Sequence, residues 1–281
     1  MSFYISLSGL KAAQADLSTI SNNVANVNST AFKKSIANFG DIFAAAPMQT
    51  TTQVAGQGTR IAGIKQQFTQ GTVETTDKTL DLAITGESFF TVRTAPPTSQ
   101  TSYTRNGAFS LDENRYVVDT TGARLQVLPV DTNGVPTSTA PGALTDLQIP
   151  QTYEDTSTTP STFVQLSSIE INESGLVTAT FADDHTVMLG NVALAAFPSA
   201  EGLRQKGDAH WQSTLSSGQP TYGAGNAGLF GTVRSGALER SNVDLTEELV
   251  SLIAAQQNFQ ANAKAIETQN TVASAIINMR G

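Results

Sequence analysis

Residues 245–281 constrain what this chain can fold into more than any other stretch. Leu245, Leu249, Leu252, Gln256, Phe259, Ala263, Ile266, Asn270, Ala273 and Ile277 recur at alternating steps of four and three. That spacing lays one narrow stripe along an α-helix, because side-chain direction repeats about every 3.5 residues. The start is marked as well. Asp244 can accept from the free N–H groups of the first turn, and Glu247, three residues on, has the spacing of a capping-box partner. Neither Gly nor Pro interrupts the run before Gly281. At about 1.5 Å per residue the helix would be roughly 50 Å long, too long to be hidden by a domain of this size. Its stripe needs a partner, in this chain or on another copy.

A second stripe lies at the opposite end. Phe3, Leu7, Leu10, Ala13, Leu17, Ile20, Val24 and Val27 also step by fours and threes. Neither end has a neighbouring helix in sequence, so the two are expected to pair with each other as a coiled coil over 1–28 and 243–281. Gln256 and Asn270 would weaken a plain two-stranded pair. They suit polar or wet contacts in a larger assembly.

The middle of the chain changes period. Apolar runs at 61–68, 80–84, 89–92, 116–118, 125–128, 163–171, 176–181, 187–189 and 192–197 read as strands. Asn106-Gly107, Asp112-Glu113-Asn114, Thr121-Gly122, Glu173-Ser174-Gly175 and Asp183-Asp184 read as tight turns between them. The predicted class is therefore α plus all-β. Terminal helices form a coiled coil, and residues 71–242 form an antiparallel β-rich body of sandwich or barrel type. Residues 29–70 read as an extended connector, with Phe32, Phe39, Ile42 and Phe43 as apolar anchors. Residues 131–162, rich in Pro and Thr, read as an exposed loop.

Composition excludes several function classes. Charged residues make up only 14%, which suits close packing against other protein, since few charges would have to be desolvated. The net charge of −8 argues against nucleic acid, whose binding needs a surplus of Lys and Arg. There is no cysteine, so disulfides and thiolate chemistry are excluded. The opening residues lack the basic and apolar regions of a cleaved secretory signal, and no apolar run is long enough to span a membrane. Gly223-Ala224-Gly225-Asn226-Ala227-Gly228 has dinucleotide-loop spacing, but a proline precedes it and no helical pattern follows, so it reads as a surface loop. Asp183, Asp184 and His185 read as a solvated turn, because no ligand spacing links His185 to His210. Trp211 reads as a core anchor. Nothing indicates an enzyme, a cofactor, a metal or a small-molecule ligand.

Several separated motifs carry a family resemblance. Ser21-Asn22-Asn23-Val24-Ala25-Asn26 followed by Ala31-Phe32-Lys33 resembles the N-terminal signature of the flagellar rod and hook proteins. Ala31 stands where that family usually has glycine. The resemblance continues in Ile64-Lys65-Gln66-Gln67-Phe68-Thr69-Gln70-Gly71, in Leu80-Asp81-Leu82-Ala83-Ile84 and in Tyr103-Thr104-Arg105-Asn106-Gly107-Ala108-Phe109. It ends with Gly236-Ala237-Leu238-Glu239 and Ser241-Asn242-Val243-Asp244-Leu245. The motifs follow the family's order over both ends and most of the middle. The resemblance implies a homopolymer, a helical tube with the terminal helices inside and the β-rich part outside. It also implies a place in the extracellular flagellum and basal body, reached by flagellar type III export without a cleaved signal peptide. The implied partners are rod and hook–filament junction proteins, the export apparatus and a hook cap. Within the family, the opening MSFYISLSGL and Phe39-Gly40-Asp41-Ile42-Phe43 are more similar to hook subunits, whose tube is a flexible joint that transmits torque. The outer domain usual in those subunits would then be missing, with 131–162 in its place. The alternative is a distal-rod subunit, part of a rigid drive shaft. The connector at 44–60 is expected to set stiffness.

Overall fold

The computed structural model describes residues 2–42, 56–155 and 162–279. It divides into two compact units. Residues 1–27, 34–67 and 243–281 make up the first, and residues 28–33 and 68–242 the second. The structure has the expected class, two terminal helices and an antiparallel β body.

In the first unit α1 (Ser2–Ala25) packs against α2 (Leu245–Asn278). The pair is antiparallel: Asn23 reaches Glu248, and Ser6 lies 3.4 Å from Gln269. Asp244 caps α2, accepting from the backbone N–H of Thr246 at 2.8 Å and of Glu247 at 3.1 Å. Two of the orphan donors of the first turn are thereby satisfied. Glu247 does not complete a capping box; its carboxylate accepts from Lys34 at 3.2 Å. Gly9 lies against the Asn262 side chain: a Cβ there would come within 2.5 Å of Asn262 Oδ1, so a larger residue would have to displace that amide.

Within 29–70, read as an extended connector, two strands pair antiparallel, β1 (Ser35–Asp41) and β2 (Thr59–Gln66). β2 was legible as an apolar run. β1 was not, because a bulge between Asn38 and Phe39 resets the alternation halfway along. Phe43 and residues 44–55 of the expected connector lie outside the described residues.

The second unit is the β body. It opens with β3 (Val73–Thr75), β4 (Leu82–Thr85), β5 (Phe89–Arg93) and β6 (Thr101–Thr104). Next come β7 (Ser110–Leu111), β8 (Val117–Val118), β9 (Arg124–Leu128), β10 (Thr145–Asp146) and β11 (Thr152–Asp155). β12 (Thr162–Ile171), β13 (Leu176–Phe181), β14 (Thr186–Val192) and β15 (Leu194–Ala196) follow. The last are β16 (Arg204–Gly207), β17 (His210–Gln212), β18 (Thr221–Gly223), β19 (Thr232–Ser235) and β20 (Ala237–Glu239). The main sheet runs β11-β12-β13-β14-β9-β5-β6-β17-β16, and β19 with β4 and β20 with β3 make two small separate pairs.

One turn design recurs. Asp112, Asp119, Asp131 and Asn172 each accept, through one side-chain oxygen, from the backbone N–H groups two and four residues on. The residue three on takes a positive φ: Arg115, Gly122, Gly134 and Gly175. This is a three-residue hairpin loop, with the Asx oxygen holding the turn while the left-handed residue closes it. Asp184, at φ 61°, fills the left-handed place in the β13–β14 turn.

Of the stretch 131–162, read as an exposed loop, residues 156–161 lie outside the described residues, and the described part is divided. Residues 131–143 have no buried side chain, but Leu147 and Ile149 are fully buried in the main core and β10 pairs with β9. Two apolar side chains spaced by two, in a Pro- and Thr-rich context, were too short a signal to read as a strand.

Candidate assembly interface

The motifs singled out in the sequence converge on two buried polar nodes, one in each unit. In the first, Asn23 is 1% exposed on the inner face of α1. Its side-chain amide donates to the Ser35 carbonyl at 2.8 Å and to Glu248 Oε2 at 3.1 Å, and its oxygen accepts from the Ser35 N–H at 2.9 Å. Glu248, also 1% exposed, meets Lys34 Nζ at 2.7 Å. Burial of Lys34 lowers its pKa, but hydrogen bonds and charge from Glu248 and Glu247 outweigh this and raise it overall. One asparagine and one ion pair thus tie α1, β1 and α2 with their buried polar groups satisfied.

The second node is centred on Glu239, at the end of β20. Lys33 Nζ donates to Glu239 Oε1 at 2.7 Å and to the Thr69 carbonyl at 2.7 Å. The Gly71 N–H adds a bond to Oε1 at 2.8 Å, and Arg105 Nη1 lies 3.5 Å from Oε2. All three charged side chains are fully buried. Desolvation dominates the Lys33 pKa and lowers it. A Cβ on Gly71 would lie 2.0 Å from the Arg240 carbonyl, so the glycine allows the close approach that the node requires. Adjacent lysines, Lys33 and Lys34, therefore anchor separately, one in each unit. Ala31 shows what the unusual residue before Phe32 does. Its φ is 56°, a left-handed conformation that favours glycine, and it is fully buried with its N–H on the Glu239 carbonyl.

The two predicted stripes fare differently. On α1, Ile20 is buried, and Leu7, Leu10, Leu17 and Val24 are half-buried, as is Val27 in the turn just past the helix; Phe3 is exposed. On α2 the residues turned toward α1 run through Glu248, Leu252, Ala255, Phe259 and Ile266. The predicted stripe shares Leu252, Phe259 and Ile266 with that seam. Leu245, Leu249, Gln256, Asn270 and Ile277 stand exposed on the chain. Within one chain the seam runs to one side of the predicted stripe, because a charged residue and an alanine hold its most buried positions. Of the N-terminal motif, Asn26 donates to the Asn22 carbonyl and ends α1, Phe32 is half-buried and Ala25 is exposed.

Sequence reasoning missed a buried pair, His210 and Asp119. His210 Nε2 lies 2.7 Å from Asp119 Oδ2, and both side chains are almost fully enclosed. The Asp119 turn was legible as Thr121-Gly122; the histidine opposite it is 91 residues away and has no sequence signal. Trp211 packs edge-on against Phe68 and Phe89 in a second core cluster. Asp183 accepts from the His185 N–H within a turn, and the His185 ring stacks on Tyr153. Among the described residues no group of His, Asp and Glu is placed to hold a metal. The glycine-rich loop runs from β18 into a single helical turn, Gly228–Phe230, followed by β19.

The comparisons agree with the motifs. A flagella basal body rod protein model matches residues 3–33, and the D1 domain model of the flagellar hook protein FlgE/F/G matches residues 83–179. The C-terminal model of the flagellar basal body rod FlgEFG proteins matches residues 234–279. The flagellar hook protein FlgE of Escherichia coli is 28% identical over 413 aligned positions that cover all of both chains. The rod protein FlgG of Borreliella burgdorferi is 31% identical over 285 residues, 97% of this chain and 96% of that one. FlgG of Bacillus subtilis is 31% identical over 296, with 99% and 98% covered. Buried nodes built from the family's own motifs, and similarity along the whole length, lead to one assignment: the chain belongs to the flagellar hook and rod protein family, structural subunits of the bacterial flagellum.

Proposed function

We propose that this chain is the hook subunit, polymerising into a tube that bends while passing torque from rod to filament. The observation that carries the reading is the unfinished surface of the helical unit. Leu245, Leu249, Val250 and Ile253 stay exposed on α2, and Phe3, Tyr4 and Ile5 on α1. A single chain leaves these apolar side chains in water, and neighbours in a helical array would cover them. The opening MSFYISLSGL, more similar to hook subunits, favours the hook over other axial positions. In this reading the subunits are exported without a cleaved signal and meet rod, junction and cap proteins. Gln256 and Asn270 make polar contacts between copies or with channel water.

One observation favours the distal rod instead. The rod relative aligns over 285 positions, close to the 281 residues here, whereas the hook relative needs 413. A rod protein therefore aligns with this chain with few gaps, and the hook protein carries a long stretch with no counterpart. Electron microscopy of the polymer assembled from purified protein separates the two. Curved, polymorphic tubes support the hook, and uniformly straight, rigid tubes assign the chain to the rod.

A further inference from the structure

The helical unit carries a groove of about 440 Å³ between the first turns of α1 and the β1–β2 pair. Its lining includes the apolar Tyr4, Leu7, Ile42 and Ile61 and two cations, Lys11 and Arg60. Among the described residues neither cation meets a carboxylate at ion-pair distance. Tyr4 is 74% exposed and Ile61 45%. The groove thus suits an apolar segment that also brings negative charge.

The same unit presents such a segment at its other end. The first turns of α2 expose Leu249 at 43%, Val250 at 64% and Ile253 at 55%. Beside them Glu247 keeps most of its surface in water, although Lys34 touches it. The N-cap carboxylate of Asp244 adds charge to the same end.

These two surfaces cannot meet within one chain. The base of α2 lies at the level of Asn23, and the groove begins beside Ser8, whose hydroxyl accepts from the Thr59 N–H. The offset of fifteen residues along α1 separates them by about 20 Å along the helix axis. We propose that the groove of one copy seats the Leu249–Val250–Ile253 face of a second copy, with Glu247 approaching Lys11 and Arg60. The contact is head-to-tail, so a joined pair still has one groove free on one copy and one face free on the other, and the chain of contacts does not close. This inference rests on the axial-subunit reading and names the joint that it needs.

The chain has no cysteine, so introduced thiols report on this contact alone. In the full-length double variant Ile61→Cys/Leu249→Cys, oxidised after assembly, a disulfide can form only between copies, because the two positions are too far apart within one. The expected result is a shift from the monomer band to a ladder of multimers on a non-reducing gel, reversed by reductant. Each single-cysteine variant stops at dimer or below. Ile61→Cys paired with Ile276→Cys, at the other end of α2, serves as control. If polymers form but the ladder is absent, or appears only in the control, the proposed joint is wrong and the axial reading stands. If the unsubstituted protein forms no polymer under any assembly condition, the axial reading fails and takes the joint with it.

Discussion

At the scale of single residues, stability concentrates in buried polar groups that apolar patterning does not reveal. Glu239 compensates both Lys33 and Arg105, each fully buried, so removing it takes away the bonded carboxylate of both and leaves Arg105 only the more distant charge of Glu87. Breaking a buried pair from one side costs about 3–5 kcal/mol, because the remaining charge stays desolvated. Glu239→Ala should therefore destabilise the β body by about that amount, read in urea through the emission of Trp211, the only tryptophan. The His210–Asp119 pair makes a pH-dependent contribution. Burial lowers the His210 pKa, but the hydrogen bond and charge of Asp119 outweigh it and raise the pKa overall. Desolvation likewise opposes the ionised form of Asp119, and the bonds from His210 and Thr121 overcome it and lower that pKa. A raised histidine stabilises fully below its unfolded value of about 6.5, and this is lost as pH climbs through the folded value. A lowered carboxylate stabilises above about 4, and this is lost as pH falls through the folded value. The pair therefore contributes most between about pH 4 and 6.5. The thermal midpoint should drop from pH 6 to pH 9 by more in the parent protein than in His210→Gln. An equal drop in both would remove the pair as the cause. Lys33, whose lowered pKa favours stability at higher pH, acts in the opposite direction and cancels in the comparison.

At the scale of elements, α2 does two jobs with two faces. Leu252, Phe259 and Ile266 turn toward α1, while Leu245, Leu249, Gln256, Asn270 and Ile277 remain exposed. One face closes the protomer and the other is available to neighbours. Leu252→Asp or Ile266→Asp would put a carboxylate into the seam between helices, where burying it without a partner is unfavourable. Either variant should lose assembly, measured by sedimentation, while Trp211 emission stays native because the tryptophan belongs to the β unit. Normal tubes from either variant would show that the seam is not needed. The β elements follow a different logic, with an Asx oxygen and a left-handed residue closing turn after turn. That arrangement sets hairpin register locally, before any long-range contact forms.

At the scale of the whole molecule, the chain is an axial subunit without the long extra stretch of its hook relative. If bending arises in the segment that links the strands of the helical unit, shortening residues 44–60 should change tube curvature under the microscope and leave tube formation intact. Failure to polymerise would instead make that segment part of the main joint. The head-to-tail contact and this segment are separable, since the crosslink reports on one and curvature on the other.

The sequence by itself determined the periods. It placed the two terminal helices, the cap at Asp244, the β2, β5, β9, β12 and β13 strands and most of the hairpin turns, because these follow from local spacing and turn chemistry. It also marked Asn23, Lys33, Arg105 and Glu239 as motif residues without saying what they do. Only the tertiary structure decided that these residues meet in buried nodes, since a hydrogen bond between positions 23 and 248, or 33 and 239, leaves no trace in local pattern. The same holds for β1, whose bulge hides its period, and for His210 facing Asp119. It holds above all for the seam of α2. Spacing fixed that a stripe exists, but the register of packing against α1, set by Glu248, Ala255 and the close approach at Gly9, decided which side of the stripe is inside.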